Sequence, residues 1–190
     1  VANVAAAMAV LLTQGHNLRD VTEAVATMAP VPGRMQVIDG GSKWPRVVID
    51  YAHTPDAIEK ALAALRPQCR GELICIVGCG GDRDRGKRAQ MGRAAAKGSD
   101  RVWFTSDNPR SEDPERILAD MAHGLELPNS QRVRSEVNRA EAIAVALQSA
   151  DPDDILLIAG KGHEQTQEIN GEFIPFSDFT VVHDIQGENN

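Results

Sequence analysis

Two stretches of this chain, Leu73–Val77 and residues 154–159, are apolar at almost every position, and that excludes most architectures. A strand with one face in water alternates apolar and polar residues; one without alternation has to be covered on both faces. Glycines follow each stretch closely, Gly78 and Gly80 after the first, Gly160 and Gly162 after the second. From residue 35 onward the pattern repeats strand, loop and helix. Strands are expected at residues 35–39, Arg46–Asp50, Leu73–Val77, Arg101–Thr105, 131–134 and 154–159, and helices at Pro55–Leu65, 87–97, 114–124 and Arg139–Gln148. Thr54, Asp113 and Asn138 stand at N-cap positions, with Pro55 at the first helical position and Glu141 three residues after Asn138. Asn170-Gly171 joins residues 167–169 to 172–174 as a hairpin, and Ser177 caps a last helix. The expected fold is α/β, a mostly parallel sheet with helices on both faces and an antiparallel hairpin near the C-terminus.

Ahead of this pattern, residues 3–12 and 20–28 read as helices, with Asn3 as a cap of the first. Ala29-Pro30-Val31-Pro32-Gly33 cannot continue a helix and marks a domain boundary, dividing the chain into residues 1–32 and 33–190. The opening residues already read as mid-helix, so a piece of a longer protein is expected. A net charge of −7 argues against nucleic acid as a general partner. No apolar run approaches the ~20 residues that span a bilayer, and no signal peptide is evident. Cys69, Cys75 and Cys79 lack the paired spacing of a zinc site, and no metal site is expected. Reduced thiols without an export signal point to the cytoplasm.

Open parallel sheets bind ligands beyond the carboxyl ends of their strands, and this selects four loops. Asp50-Tyr51-Ala52-His53-Thr54-Pro55 runs into a helix N-terminus, which favours an anion, with Asp50 and His53 suited to a protonated or metal-bound phosphate oxygen. Gly78 to Arg88 combines glycines with alternating Asp and Arg. Its charges are either a self-paired, solvated run or, at Arg83, a guanidinium aimed at a ligand carboxylate. Arginine stands at position 83, where a dinucleotide fingerprint needs its third glycine. Asp107-Asn108-Pro109-Arg110 is a turn holding an acid and a guanidinium, which either pair with each other or serve a ligand bearing both charges. Gly160-Lys161-Gly162-His163-Glu164 clears space and adds a carboxylate; His163 reads as structural. Together the edge offers Arg83 and Arg110 for carboxylates and Asp107 and Glu164 for ammonium groups. A phosphate loop of the GxxxxGK(S/T) kind is missing from the sequence.

With Pro32-Gly33-Arg34-Met35, these four loops make five stretches in order that closely resemble the Mur ligases, ATP-dependent enzymes of peptidoglycan stem-peptide synthesis. The resemblance implies a Rossmann-like amino-acid-binding domain over residues 33–190, preceded at 1–32 by the end of the central ATPase domain. It implies the member that adds meso-diaminopimelate to UDP-N-acetylmuramoyl-L-alanyl-D-glutamate. Arg83, Asp107, Asn108, Pro109, Arg110, Gly160 and Glu164 are then the amino-acid site, and Asn3, Arg34, Asp50 and His53 the nucleotide side. In the reaction so implied, ATP with magnesium phosphorylates the glutamate carboxylate, an amine of the amino acid attacks the acyl phosphate, and phosphate leaves. The main ATP and Mg2+ sites and the UDP-sugar site fall outside this chain, whose own share is positioning without a catalytic residue; alone it is expected to fold but not to ligate. A nicotinamide-dependent oxidoreductase domain and a stand-alone amino-acid-binding module are the alternatives.

Overall fold

The computed structural model describes residues 2–29, 31–125 and 131–188. Pro30, part of the linker read from the sequence, lies outside the described residues. The chain forms two compact units, Val1–Val31 and Pro32–Asn190. The first holds α1 (Ala2–Thr13) and α2 (Leu18–Ala26). Asn3 lies within α1 instead of capping it. The cap in this unit is Asn17, whose Oδ1 accepts from Asp20 N at 2.9 Å and starts α2 two residues earlier than apolar spacing indicates. Val21 is buried, whereas Met28, inside the expected helix, lies past the end of α2 and is exposed.

In the second unit β1 (Gln36–Ile38) pairs antiparallel with β2 (Arg46–Asp50). Then follow α3 (Pro55–Leu65), β3 (Leu73–Val77), α4 (Gly86–Gly98), β4 (Arg101–Thr105), α5 (Pro114–Ala122), β5 (Val133–Glu136), α6 (Arg139–Gln148) and β6 (Ile155–Ala159). Strand order is β1-β2-β6-β3-β4-β5, all pairs after the first being parallel. Thr54, Asp113 and Asn138 cap their helices through side-chain oxygens, as the sequence indicates. β5 begins two residues later than expected, because Val102 pairs with Val133 once its N–H has reached the Arg132 carbonyl. Beyond the sheet, β7 (Thr166–Ile169) and β8 (Glu172–Pro175) form a separate hairpin, and α7 (Asp178–Glu188) closes the chain. Among the described residues no helix is long and apolar enough to cross a membrane.

The apolar strands divide their side chains strictly by parity. Leu73, Cys75 and Val77, with Leu157, pack beneath Ile58 and Leu62 of α3, Met91 of α4 and Met121 of α5. Ile74 and Ile76, with Leu156 and Ile158, meet Ile143 and Leu147 of α6 and Val182 of α7. Each such fully buried Leu or Ile contributes about 1.5–3 kcal/mol relative to exposure. The Cys75 thiol is part of this core, and burial pushes it up to about 12. The chain therefore moves outward from β2 to β5 over one face and returns across the other to β6. That reversal puts a switch point between β6 and β3, where loops of opposite faces part at the strands' carboxyl ends.

Candidate functional site

The loops after β2, β3, β4 and β6 enclose a cleft of about 470 Å3 at this edge. Tyr51 and His53 line it from the first loop, Arg83 from the second, Asp107, Asn108 and Arg110 from the third, and Gly160 and Glu164 from the fourth. α4 adds Lys87 and Arg88. Three of these loops thus bring the guanidiniums of Arg83 and Arg110 and the carboxyl groups of Asp107 and Glu164 to one cavity, which Asp84 and Arg88 also line. Pro109 is not in the lining; it is buried, and its carbonyl packs on Gly81.

The glycines after β3 have a different purpose from the one their clustering suggests. A Cβ at Gly78 would overlap the Thr105 carbonyl, and one at Gly81 the Pro109 carbonyl. What approaches these backbones is the neighbouring turn. A dinucleotide fingerprint frees its glycines for a pyrophosphate, so this packing removes the ground for the nicotinamide alternative. The charge run that follows is not self-paired either. Asp82 receives the Ser111 hydroxyl at 2.9 Å, Asp84 receives Gly86 N at 3.0 Å, and Arg85 pairs with Glu112 at 2.9 Å. Arg83 and Lys87 remain, exposed and with no side-chain partner among the described residues.

Asp107 and Arg110 do not pair with each other. Arg110 Nε lies 2.9 Å from Glu168 Oε2, and its Nη1 donates to the Gly81 carbonyl at 2.8 Å. The Asp107 carboxyl lies beside Gly160, where a Cβ would stand 2.6 Å from Oδ2; with φ at +111° as well, only glycine fits there. Burial pushes the Asp107 carboxyl up, against the attraction of Arg139 and Lys161. Glu164 is anchored by a residue that sequence reasoning passed over. Lys161, fully buried between its two glycines, donates to Glu164 Oε2 at 2.9 Å and to Asn108 Oδ1 at 3.0 Å. Asn108 Nδ2 donates to the same carboxylate at 3.0 Å. Burial raises the Glu164 carboxyl, but the bonds from Lys161 and Asn108 outweigh it and leave it below the ordinary range.

Of the residues assigned to the nucleotide side, His53 lines the cleft with Nδ1 2.9 Å from the Tyr51 carbonyl. Arg34 is exposed, its guanidinium 4.6 Å over the Tyr51 ring. Both Asp50 oxygens are engaged by backbone, Oδ2 by Met35 N at 2.7 Å and Oδ1 by Ala52 N at 3.0 Å. Those two bonds shape the turn that leads into α3. Asn3 belongs to the first unit, exposed on α1.

Two networks, one of them fully buried, brace the cleft from behind. Arg139 and Asp178, both with fully buried side chains, join at 2.8 and 2.9 Å. Arg139 also donates to the Ser106 and Ala159 carbonyls, immediately before Asp107 and Gly160. On the other flank Glu112 receives Arg88 at 2.8 Å and Asp82 N at 2.6 Å. Those bonds, Arg88 foremost, hold its carboxyl down from 4.5 to about 2. A depressed folded value means that the stability it adds is complete above about 4.5 and is lost as pH falls from there through about 2. Urea melts between about pH 5 and about pH 2 should show a decline in the wild type that is shallower in Glu112→Gln. Equal slopes for the two proteins would disconnect this carboxylate from folding.

The fold has counterparts in known proteins. The family model described as Mur ligase, glutamate ligase domain, matches residues 33–162. The UDP-N-acetylmuramoyl-L-alanyl-D-glutamate–2,6-diaminopimelate ligase of Pseudomonas putida is 49% identical over 178 residues, covering 94% of this chain and 35% of that protein. The ligase of the same name from Coxiella burnetii is 54% identical over 148 residues, covering 78% of this chain and 30% of that one. A solved structure of an enzyme so named superposes with a TM-score of 0.79 at 42% identity, over 98% of this chain and 38% of the other. Escherichia coli FolC in complex with ADP, at 23% identity and a TM-score of 0.65 over 98% of this chain and 39% of the other, shares the fold. The chain spans about a third of the length of these curated relatives.

Proposed function

The chain belongs to the Mur ligase family, and we propose that its second unit is the amino-acid-binding domain of an ATP-dependent ligase joining meso-diaminopimelate to UDP-N-acetylmuramoyl-L-alanyl-D-glutamate. The observation that carries this reading is the convergence of Arg83, Arg110, Asp107 and Glu164, from three different loops, on one cleft. Diaminopimelate carries an ammonium and a carboxylate at each end, and a cleft with both charges doubled is complementary to it. The relatives' names support the same substrate.

In this reading Arg83 and Lys87, free and exposed, draw the dicarboxylic amino acid in. Arg110 takes the distal carboxylate, the group that lysine lacks, while Asp107 and Glu164 receive ammonium groups and Asn108 holds Glu164 in place. ATP would supply the phosphoryl group that activates the dipeptide's carboxylate. Arg34 and His53 are the groups this chain can offer toward its phosphates, both exposed and neither tied into an ion pair among the described residues. Magnesium is assigned, with the main ATP site, to the rest of the whole protein. The domain contributes proximity: it presents an amine at a fixed distance and angle to the activated carbon. The assignment to the cytoplasm follows from the substrates this reading gives it.

Calorimetric titration of the full-length protein with meso-diaminopimelate, L-lysine and L-ornithine tests the reading. Diaminopimelate should bind most tightly. Arg110→Ala should weaken it by about 2 kcal/mol, roughly thirtyfold, as for a lost charge-assisted hydrogen bond, and leave lysine unchanged. Equal binding of all three amino acids by the wild type would overturn it.

A further inference from the structure

The β7–β8 hairpin is what sets the Asp107–Arg110 turn in place. Gln167 Nε2 donates to the Asp107 carbonyl at 2.7 Å, and Glu168 N donates to Asn108 Oδ1 at 3.0 Å. Arg110 N donates to the Glu168 carbonyl at 3.0 Å, and Asn170 N donates to the Arg110 carbonyl at 2.7 Å, a one-residue bridge alongside Ile169. Arg110 adopts φ +53°, a left-handed conformation that a branchless glycine takes freely and an arginine only under constraint. Both of its backbone groups are spent on the hairpin, and that supplies the constraint. Strain of this kind gathers where a side chain has to be aimed.

The aim itself comes from one carboxylate. Glu168 Oε2 meets Arg110 Nε at 2.9 Å, with the two side chains 26% and 21% exposed. Nη1 is tied to the Gly81 carbonyl at 2.8 Å, and Nη2 has no hydrogen bond among the described residues. We infer that Glu168 is a positioning and specificity-determining residue: it occupies the Nε edge of the Arg110 guanidinium, so that a ligand carboxylate can be read only at the Nη2 end. This rests on the reading of the cleft as an amino-acid site. A free guanidinium offers a carboxylate its side-on fork as well as its end-on one, and swings between rotamers. With Nε and Nη1 both satisfied, one approach remains and the rotamer is fixed. The Arg110 charge is also largely neutralised by Glu168, which leaves long-range attraction to Arg83 and Lys87 and makes Arg110 a short-range reader of geometry.

The test uses the full-length ligase, with calorimetry and steady-state kinetics on meso-diaminopimelate and L-lysine, and thermal melts in parallel. Glu168→Ala is expected to raise Kd and KM for diaminopimelate about tenfold while kcat stays within about threefold and lysine binding is unchanged. Glu168→Gln, whose amide oxygen still accepts from Nε–H, should stay within about threefold of wild type. Wild-type affinity for diaminopimelate in Glu168→Ala would overturn the inference. So would tighter binding, which marks Glu168 as a mere competitor, and so would equal losses for both amino acids, which mark a purely structural role. Should Glu168→Ala fail to fold, Glu168→Leu keeps the bulk on the strand without the acceptor and carries the same expectations. Arg110→Ala separates the two levels: if it binds diaminopimelate like wild type, the reading of the cleft is what fails.

Discussion

Asp178→Asn is expected to destabilise the second unit by about 3–5 kcal/mol. Its partner Arg139 is fully buried, and the pair is bidentate at 2.8 and 2.9 Å. Burial works to lower the guanidinium's pKa, and the charge and hydrogen bonds of Asp178, with the charges of Asp107 and Glu164, together outweigh it. With asparagine the shape survives but the charge does not, and an amide N–H2 is turned toward a cation that has no water to retreat to. The Ser106 and Ala159 carbonyls still accept from Arg139, but neutral dipoles offset only part of an isolated buried charge. Urea unfolding of wild type and variant measures the loss, and thermal melts should fall on the order of 10 °C. Replacing both partners by apolar residues, as in Arg139→Met with Asp178→Leu, should recover much of it, because it is the orphaned charge that costs. A variant within about 1 kcal/mol of wild type would mean that the guanidinium is hydrated or reoriented, and that it does not brace the Asp107 and Gly160 loops.

The contrast between this pair and the rest of the fold shows what a sequence can carry. β3 and β6 are legible because every residue in them is apolar, and only burial on both faces accounts for that. The caps Thr54, Asp113 and Asn138 are legible because a cap acts only two or three residues away. Strand order is not: β6 enters between β2 and β3 by pairing Leu157 with Val48 and Cys75, contacts that no local pattern encodes. The loops of the cleft could be found from strand ends alone. Their wiring could not, because it joins distant charges. Arg139 follows a helix cap and looks like any solvated helical arginine, while its partner lies 39 positions on. Lys161 looks like a spacer between glycines, and Glu168 like a polar strand residue. Gly78 and Gly81 misled for the same reason, since the atoms that need their room belong to Thr105 and Pro109.

Glu164→Ala is expected to cost about 3 kcal/mol of stability, whereas Lys161→Met should cost about 1 kcal/mol. The asymmetry comes from exposure. The Lys161 side chain is 0% exposed and that of Glu164 is 31% exposed. Removing the acid strands a buried ammonium on a single neutral acceptor, Asn108 Oδ1 at 3.0 Å. Removing the lysine leaves a carboxylate that reaches water and keeps the Asn108 Nδ2 bond at 3.0 Å. Binding should sort the same variants differently. Glu164 presents its remaining lone pairs to the cleft, and the ammonium it is proposed to receive is common to diaminopimelate and lysine, so Glu164→Ala should weaken both alike. Arg110→Ala should weaken only the dicarboxylic ligand, because only that ligand has the second carboxylate. Melting curves and titrations on the same protein samples check the two claims together. If Lys161→Met proves the more destabilising, the buried ammonium is not the group that needs compensation, and the Lys161–Asn108–Glu164 triad holds the loop by packing and not by charge.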